Sequence, residues 1–347
     1  MHKKPGYILF LLFSILSVCM VLMTLFFARS STYQQLMFLL QRQNTTTQLA
    51  VHAQSLGQSL LYIENNVAKN ANTSAKTDAP KAQQEKKDYD KKLLEKIFPF
   101  LYNNKNYVLK KEIEGIDALI DFYLCCENGK LNINSLYDFK DQKFIKEGQP
   151  GDRKKFCQWL FEQISKITKK QSLFDSFEKH IKTRTHDFND VTELLHIKEF
   201  SEVFAKNVFY STDTTDTSKI FLTDLFTVTT NQESINPWFF SASWLNILNI
   251  KRQTLSEDNQ KKLIESYKKE TNWDKDWDNT FSNLYQKEYK NLPQEIKSML
   301  TTECEANIFS LLLNATIGET TSRIFTILKK RTISNTATFD IVKIYQI

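Results

Sequence analysis

"MHKKPGYILFLLFSILSVCMVLMTLFFARS", residues 1–30, decides what kind of chain this is. From Tyr7 to Phe27 it holds no charged residue, no Gly and no Pro. Wound into a helix at about 1.5 Å per residue, those roughly 21 positions reach about 31 Å, the thickness of a bilayer's hydrocarbon core. A cleaved secretory signal has an apolar core of about 7 to 15 residues followed by a small-residue cleavage site. This run is longer and closes on Phe26, Phe27, Ala28 and Arg29, which favours a retained span. His2, Lys3 and Lys4 before it, against Arg29 alone after it, set the amino terminus in the cytoplasm and the bulk of the chain outside.

Beyond the span the helical pattern continues. From Ser30 to about Val67 there is no Pro and only Gly57, and Leu36, Leu39, Leu40, Leu49, Leu56, Leu60, Ile63 and Val67 recur mostly three, four or seven residues apart. Membrane helix and amphipathic helix are expected to be continuous over 7–68. Lys69 to Lys92, "KNANTSAKTDAPKAQQEKKDYDKK", carries almost no large apolar side chain and reads as a flexible linker. The remainder divides into 93–150, with a short helix over Leu93 to Leu101 and a strand pair; 151–305, mainly helical; and 306–347, three strands with turns at 317–320 and 334–336.

Within the first of these units, "IDALIDFYLCCENGKLNINSLYDF" places two apolar-rich runs on either side of Asn128-Gly129, the strongest two-residue signal for a type I′ hairpin. In the helical middle, Asn189 or Asp190 precedes Glu193 at capping-box spacing. "KIFLTDLFTVTT", residues 219–230, is rich in β-branched and aromatic residues and reads as extended.

A net charge of +6 over 347 residues, without a dense basic block, gives no footprint for nucleic acid. Only 7 Gly are present, which argues against Gly-rich nucleotide loops. Five cysteines fall at Cys19, Cys125, Cys126, Cys157 and Cys304. No C-x-x-C spacing supports a metal site, and in an oxidising exterior the last four could form one or two disulfides or stay as buried thiols. Adjacent Cys125 and Cys126 would point to opposite faces of a strand.

Catalytic motifs are missing from the pattern. The five histidines form no H-E-x-x-H pair, and neither G-x-S-x-G nor a P-loop occurs, so no enzyme is expected. One acidic cluster stands out in "NWDKDWDNTFSNLY". Asp274, Asp276 and Asp278 alternate like the first three ligands of a Ca²⁺ loop, but Asn279 replaces the expected Gly and Tyr285 stands where a bidentate Glu would close the site. An orthodox EF-hand is excluded, and a looser calcium loop is the only cofactor expectation.

The leader "MHKKPG" before a long apolar helix resembles a type IV prepilin signal, in which a prepilin peptidase cuts after the glycine. That resemblance implies cleavage after Gly6 and an N-methylated Tyr7. Most pilins carry a Glu at the fifth mature position, where this chain has Leu11. The family that characteristically lacks it is the K-type minor pseudopilin of type II secretion. "CENGKLNINSLYDF" is similar to its hairpin motif, with Gly129, Lys130, Asn132, Asn134 and Leu136 matching. Glu193 and Leu194 match a second motif, although Lys198-Glu199 replaces its expected Gly. Ile235 and Asn236 match a third, from which Pro237, Trp238 and Phe239 depart.

The resemblance implies an α+β fold, a pilin-like long N-terminal helix and antiparallel sheet interrupted by a large α-helical insertion. It also implies a single-pass inner-membrane protein with its bulk in the periplasm, at the tip of a pseudopilus. The implied partners are other minor pseudopilins, the prepilin peptidase, the inner-membrane assembly platform, and secreted substrate or the secretin. The competing readings are a signal-anchored enzyme or binding protein, and a minor subunit of a type IV pilus or competence system.

Overall fold

The computed structural model describes the chain apart from residues 1–4, 62, 65–91, 94, 98–99, 101–104, 211–218, 231, 251–257, 259–260, 262–280, 302–305 and 334–335. One helix, α1 (Pro5–Leu61), runs for 57 residues, about 86 Å at 1.5 Å per residue. Against it lies a six-stranded sheet in the order β1-β10-β9-β8-β3-β2. Its strands are β1 (Ile63–Glu64), β2 (Lys105–Leu109), β3 (Ala118–Cys126), β8 (Ile308–Ile317), β9 (Thr320–Ile333) and β10 (Thr336–Gln346). Every pairing in this sheet is antiparallel. Short strands β4 (Leu131–Asn132), β5 (Tyr137–Asp138), β6 (Lys143–Phe144) and β7 (Phe226–Thr227) form two small ribbons beside it.

Between β6 and β8 the chain leaves the sheet for the insertion: α3 (Arg153–Thr168), α4 (Phe174–Lys182), α5 (Lys198–Phe204), α6 (Leu222–Leu225), α7 (Ala242–Ile247) and α8 (Gln294–Lys297), with α2 (Lys111–Glu114) on the sheet side. Asp152 starts α3 by accepting from the amides of Lys154 and Lys155. The architecture is therefore α+β, with a long N-terminal helix and an antiparallel sheet interrupted by a helical insertion. Three C-terminal strands fill 306–347 as the turn signals place them. Central β8 is buried on both faces over Ile308–Ala315, which is why it shows no polar alternation and only Ser310 and Asn314 interrupt its apolar residues.

Alternation along β3 sends Cys125 and Cys126 into different cores. Cys126 joins the main core with Phe122, Leu124, Leu311 and Leu328. Cys125 joins Tyr123, Ile308, Leu312, Phe325 and Ile327 on the opposite face, packed by Phe209 and Tyr210 from the insertion.

Several expectations are corrected. The helix stops at Leu61 rather than near Val67, and Ile63–Glu64 pairs with Ala337 and Thr336 as an edge strand. On α1 the residues buried against the sheet are Thr46, Ala50, Ala53, Gln54, Gly57 and Leu61, with Leu49 packed beside them, while Leu36, Leu39, Leu40 and Leu56 of the recurring set are exposed. Small side chains let the helix approach the sheet closely, and a Cβ on Gly57 would collide with the Leu311 methyl. Asn128-Gly129 makes no hairpin. It lies in a single 3-10 turn (Glu127–Gly129) with no positive φ at either residue, and β4 pairs in parallel with β7 instead of folding back on β3. A type I′ turn needs φ above zero at both central residues, so the dipeptide serves another purpose here. Residues 219–230 are not a strand throughout, because Leu222–Leu225 coil into α6 before β7. Of the helices expected over 241–304, α7, helical 281–285 and α8 are described, and most of 251–280 lies outside the described residues. The segment 93–101 is helical at 93, 95–97 and 100. The expected linker, except for Lys92, lies outside the described residues.

The two close glycines give a graded test. At Gly57 the obstacle is the end of a flexible side chain, whereas a Cβ on Gly129 would strike the backbone carbonyl of Phe239. Thermal unfolding of the full chain in detergent should show Gly129→Ala destabilising by about 1–3 kcal/mol, the usual range for overpacking, and Gly57→Ala by less. Equal effects at the two positions would contradict this packing.

Candidate functional site

Two regions carry the functional expectations: the stalk α1 and the junction where the insertion meets the sheet. Among the described residues one helix, α1, is long and apolar enough to cross a membrane. Its apolar side chains stand free of the globular body, from Phe10 at 71% exposed through Phe26 at 72% to Leu40 at 52%. Gly6 and Tyr7 lie in its first turns, followed by Leu11. The line from Tyr7 to Leu40 measures about 50 Å, whereas a bilayer core is about 30 Å thick. Lipid can cover Tyr7 to Phe27. It cannot also cover Leu36, Met37, Phe38, Leu39 and Leu40, which protrude between the span and the point where Thr46 first meets the sheet.

At the junction the three stretches singled out in the sequence meet. The Asn128 carbonyl accepts from the amide of Asn236 at 2.8 Å, and the Asn128 side chain accepts from the amides of Asn307 and Ile308 at 3.1 and 3.3 Å. Gly129 has no side chain because the backbone of Phe239 fills that space. Asn236 caps a 3-10 turn (Pro237–Phe239) by accepting from Trp238 at 3.0 Å. Asn132 donates to Thr230 O at 2.5 Å and caps the turn Ile133–Ser135. Asn134 bonds both the amide and the carbonyl of Phe188, at 2.8 and 2.9 Å. These residues are joints: each satisfies backbone groups that burial would otherwise leave unpaired.

Lys130, between these asparagines, is 2% exposed and pairs with buried Glu127 and with Ser310 Oγ at 2.9 Å. Burial pushes the lysine pKa down, but attraction to Glu127, with Cys125 and Asp224 adding to it, outweighs burial and holds it above the ordinary lysine value. Next to it, Asp224 accepts from Tyr123 at 3.0 Å and from the Ser243 amide at the start of α7 at 2.9 Å. A buried charge that loses its partner is costly, so Lys130→Met should destabilise the full chain by about 3–5 kcal/mol in thermal or denaturant unfolding. Adding Glu127→Gln to it should restore most of that loss. A double variant no better than Lys130→Met would contradict a paired charge.

The insertion is held to the C-terminal strand by Asp190. It closes the capping box with Glu193 at the start of the 3-10 segment Val191–His196, so of the two cap candidates Asp190 is the one used. Its carboxylate also accepts from Lys343 at 2.9 Å and from the Tyr345 hydroxyl. Glu193 in turn pairs with Arg184 at 2.8 Å. Burial works against ionisation of Asp190, yet hydrogen bonds from Tyr345, Thr192 and Lys343 outweigh it and hold its pKa below the usual carboxylate range. A depressed folded pKa means its stabilisation is present above the unfolded value of about 3.9 and is lost as pH falls through the folded one. Thermal melts should therefore show stability dropping as pH goes below about 4, with Asp190→Asn removing part of that dependence. An unchanged acid profile in Asp190→Asn would contradict this assignment.

Among the described residues no group of three or more His, Cys, Asp or Glu stands close enough to hold a metal ion. Asp274, Asp276 and Asp278 lie outside the described residues, so the calcium expectation rests on sequence alone. His180 is half-buried with its ring tilted against Phe188 at 6.2 Å between centroids, and its pKa is lowered first by burial and then by Arg184 and His196. Cys157 is a buried free thiol whose pKa burial raises. The small apolar space beneath α1, lined in part by Gly57, Leu61, Phe122 and Leu311, holds about 10 Å³, room for at most one water.

Sequence reasoning missed Asp224, Tyr123, Lys343 and Tyr345 as joint residues. Acids and tyrosines at wide separations carry no spacing signal.

No protein-family model matches this chain, and no curated protein matches it. Among solved structures, one chain in the crystal structure of the GspK-GspI-GspJ complex from the type 2 secretion system of enterotoxigenic Escherichia coli aligns with 77% of this chain and 97% of its own length. The identity is 11% and the TM-score 0.36, a likeness too loose to bear on activity or partners.

Proposed function

We propose that this chain is a membrane-anchored minor pseudopilin of the K type, a non-enzymatic tip or initiation component of a type II secretion pseudopilus. The observation that carries the reading is α1 itself, a helix whose exposed apolar surface is longer than a bilayer is thick. Surface of this kind outside lipid is stabilised by burial at about 25 cal/mol per Å², and apolar helices of other subunits provide that burial. In this reading the chain sits in the inner membrane with its bulk in the periplasm. Gly6 is the processing site, and Tyr7 becomes the methylated amino terminus. Leu11, in place of an acid, suits a subunit with no subunit ahead of it. The sheet with its insertion caps the fibre, where other minor pseudopilins, secreted substrate or the secretin meet it. The prepilin peptidase and the inner-membrane assembly platform act on it before that. A calcium ion at Asp274, Asp276 and Asp278 belongs to the same proposal.

Co-expression with a prepilin peptidase, followed by intact mass and amino-terminal sequencing, tests the reading. The expected product begins at N-methylated Tyr7, and Gly6→Val abolishes it. Retention of residues 1–6 on every molecule despite an active peptidase would overturn the proposal in favour of an unprocessed signal anchor.

A further inference from the structure

The upper half of α1 lies across β8 and β9, with Ala50 packed among Ala315 and Ile324. Gln58 donates to the carbonyl of Phe339, so the flank of α1 that carries Gln58 faces β10. Val51, Leu40 and Tyr33 lie 7, 18 and 25 residues before Gln58, each within about 20° of a whole number of helical turns. They form one line along that flank, and Tyr33, Leu40 and Val51 are 67%, 52% and 47% exposed.

The strand alongside presents a matching wall. Its register with β9 sets Ile341 opposite Leu328 and Ile344 opposite Thr326. Leu328, Thr326 and Ile324 stand two residues apart on β9 and share one face, and Ile324 packs on Ala50, so all of these project to the face that α1 covers. Yet α1 does not reach this far: Ile341 and Ile344 are 47% and 54% exposed, with Val342 and Ile347 exposed beside them. The flank of α1 and the aliphatic edge of β10 thus border an open groove. It continues the apolar line that begins at Tyr33, next to the membrane span.

Three occupants are poor fits. The chain's own segment 65–91 has Val67 and Tyr89 as its only large apolar side chains. An added strand would meet the register shift between Ile341 and Lys343, and Lys343 and Tyr345 are already committed to Asp190. A second copy paired edge to edge and antiparallel needs a two-fold axis perpendicular to the sheet, which would point its membrane helix the opposite way.

We infer that the groove between α1 and β10 seats an apolar helix of a different membrane-anchored subunit, with Val51, Ile341 and Ile344 as its walls. This rests on the stalk reading above and adds to it the side on which the neighbour lies. A helix anchored in the same bilayer and packed on Tyr33 and Leu40 runs upward into this groove without changing direction.

Site-specific photo-crosslinking of the full chain in its own membranes tests the assignment, with the photoreactive residue at Val51, Ile344, Leu56 or Phe38. Leu56 and Phe38 sit about 200° around α1 from Gln58 and Leu40, on the far flank. The expected result is an adduct from Val51 and Ile344, mapped by mass spectrometry to an apolar helix of another anchored subunit. Loss of the Val51 adduct in Ile341→Asp/Ile344→Asp is expected with it. Adducts at Phe38 or Leu56 with none at Val51 and Ile344 would overturn the groove and leave the stalk reading standing. So would a Val51 adduct mapped to a strand or to a second copy of this chain. No adduct at any position, Phe38 included, would overturn both.

Discussion

The constraint behind the whole structure is apolar surface on α1 that its own domain does not cover. A soluble protein folds so that a helix of this hydrophobicity is buried on at least one face. Here the described apolar side chains from Phe10 to Leu40 stand exposed, and the body meets the helix only from Arg42 and Thr46 onward. The molecule is divided accordingly into a lower half that needs lipid or other helices and an upper half that supplies its own core.

In the upper half the packing is governed by size rather than hydrophobicity. Ala50, Ala53 and Gly57 let α1 settle on β8 and β9, and the turn at Gly318 tucks under the guanidinium of Arg42 where the helix leaves the body. The insertion is fastened to the sheet at two places. Buried Lys130–Glu127, with the Asn128, Asn132 and Asn134 joints, holds one, and Asp190 with Lys343 and Tyr345 holds the other. Polar groups of this kind contribute modestly when paired and are costly when orphaned, which gives the docking a single solution.

Much of this was legible before the fold was seen. The uncharged run over Tyr7 to Phe27, the three strands after Asn307 with their turns and the Asp190-to-Glu193 cap are local patterns, and local patterns survive in the structure. What was not legible depended on partners distant in sequence. Asn128-Gly129 has the letters of a hairpin, but Asn236 and Phe239, more than a hundred residues on, use that turn as a socket. The leucines of α1 marked an apolar helix, but which residues meet the sheet was not legible, because a pattern cannot tell a face turned to the sheet from one turned to lipid or to a neighbour. Residues 219–230 have strand composition, yet burial of Asp224 between Tyr123 and Ser243 draws Leu222–Leu225 into a helix. Among the site residues, Gly129, Asn132 and Asn134 were marked by resemblance, and their physical role as joints emerged only in three dimensions.

The measurement that tests the central claim most directly is the reactivity of a cysteine placed at Phe38 toward a membrane-impermeant maleimide, with the unsubstituted chain as background. Phe38 is 59% exposed in the isolated chain and lies beyond the reach of the bilayer core. In membranes holding this chain alone the thiol should label readily, and in membranes holding the assembled set of subunits it should be protected. Equal labelling in the two preparations would show that nothing covers the stalk outside the membrane, and would contradict the account.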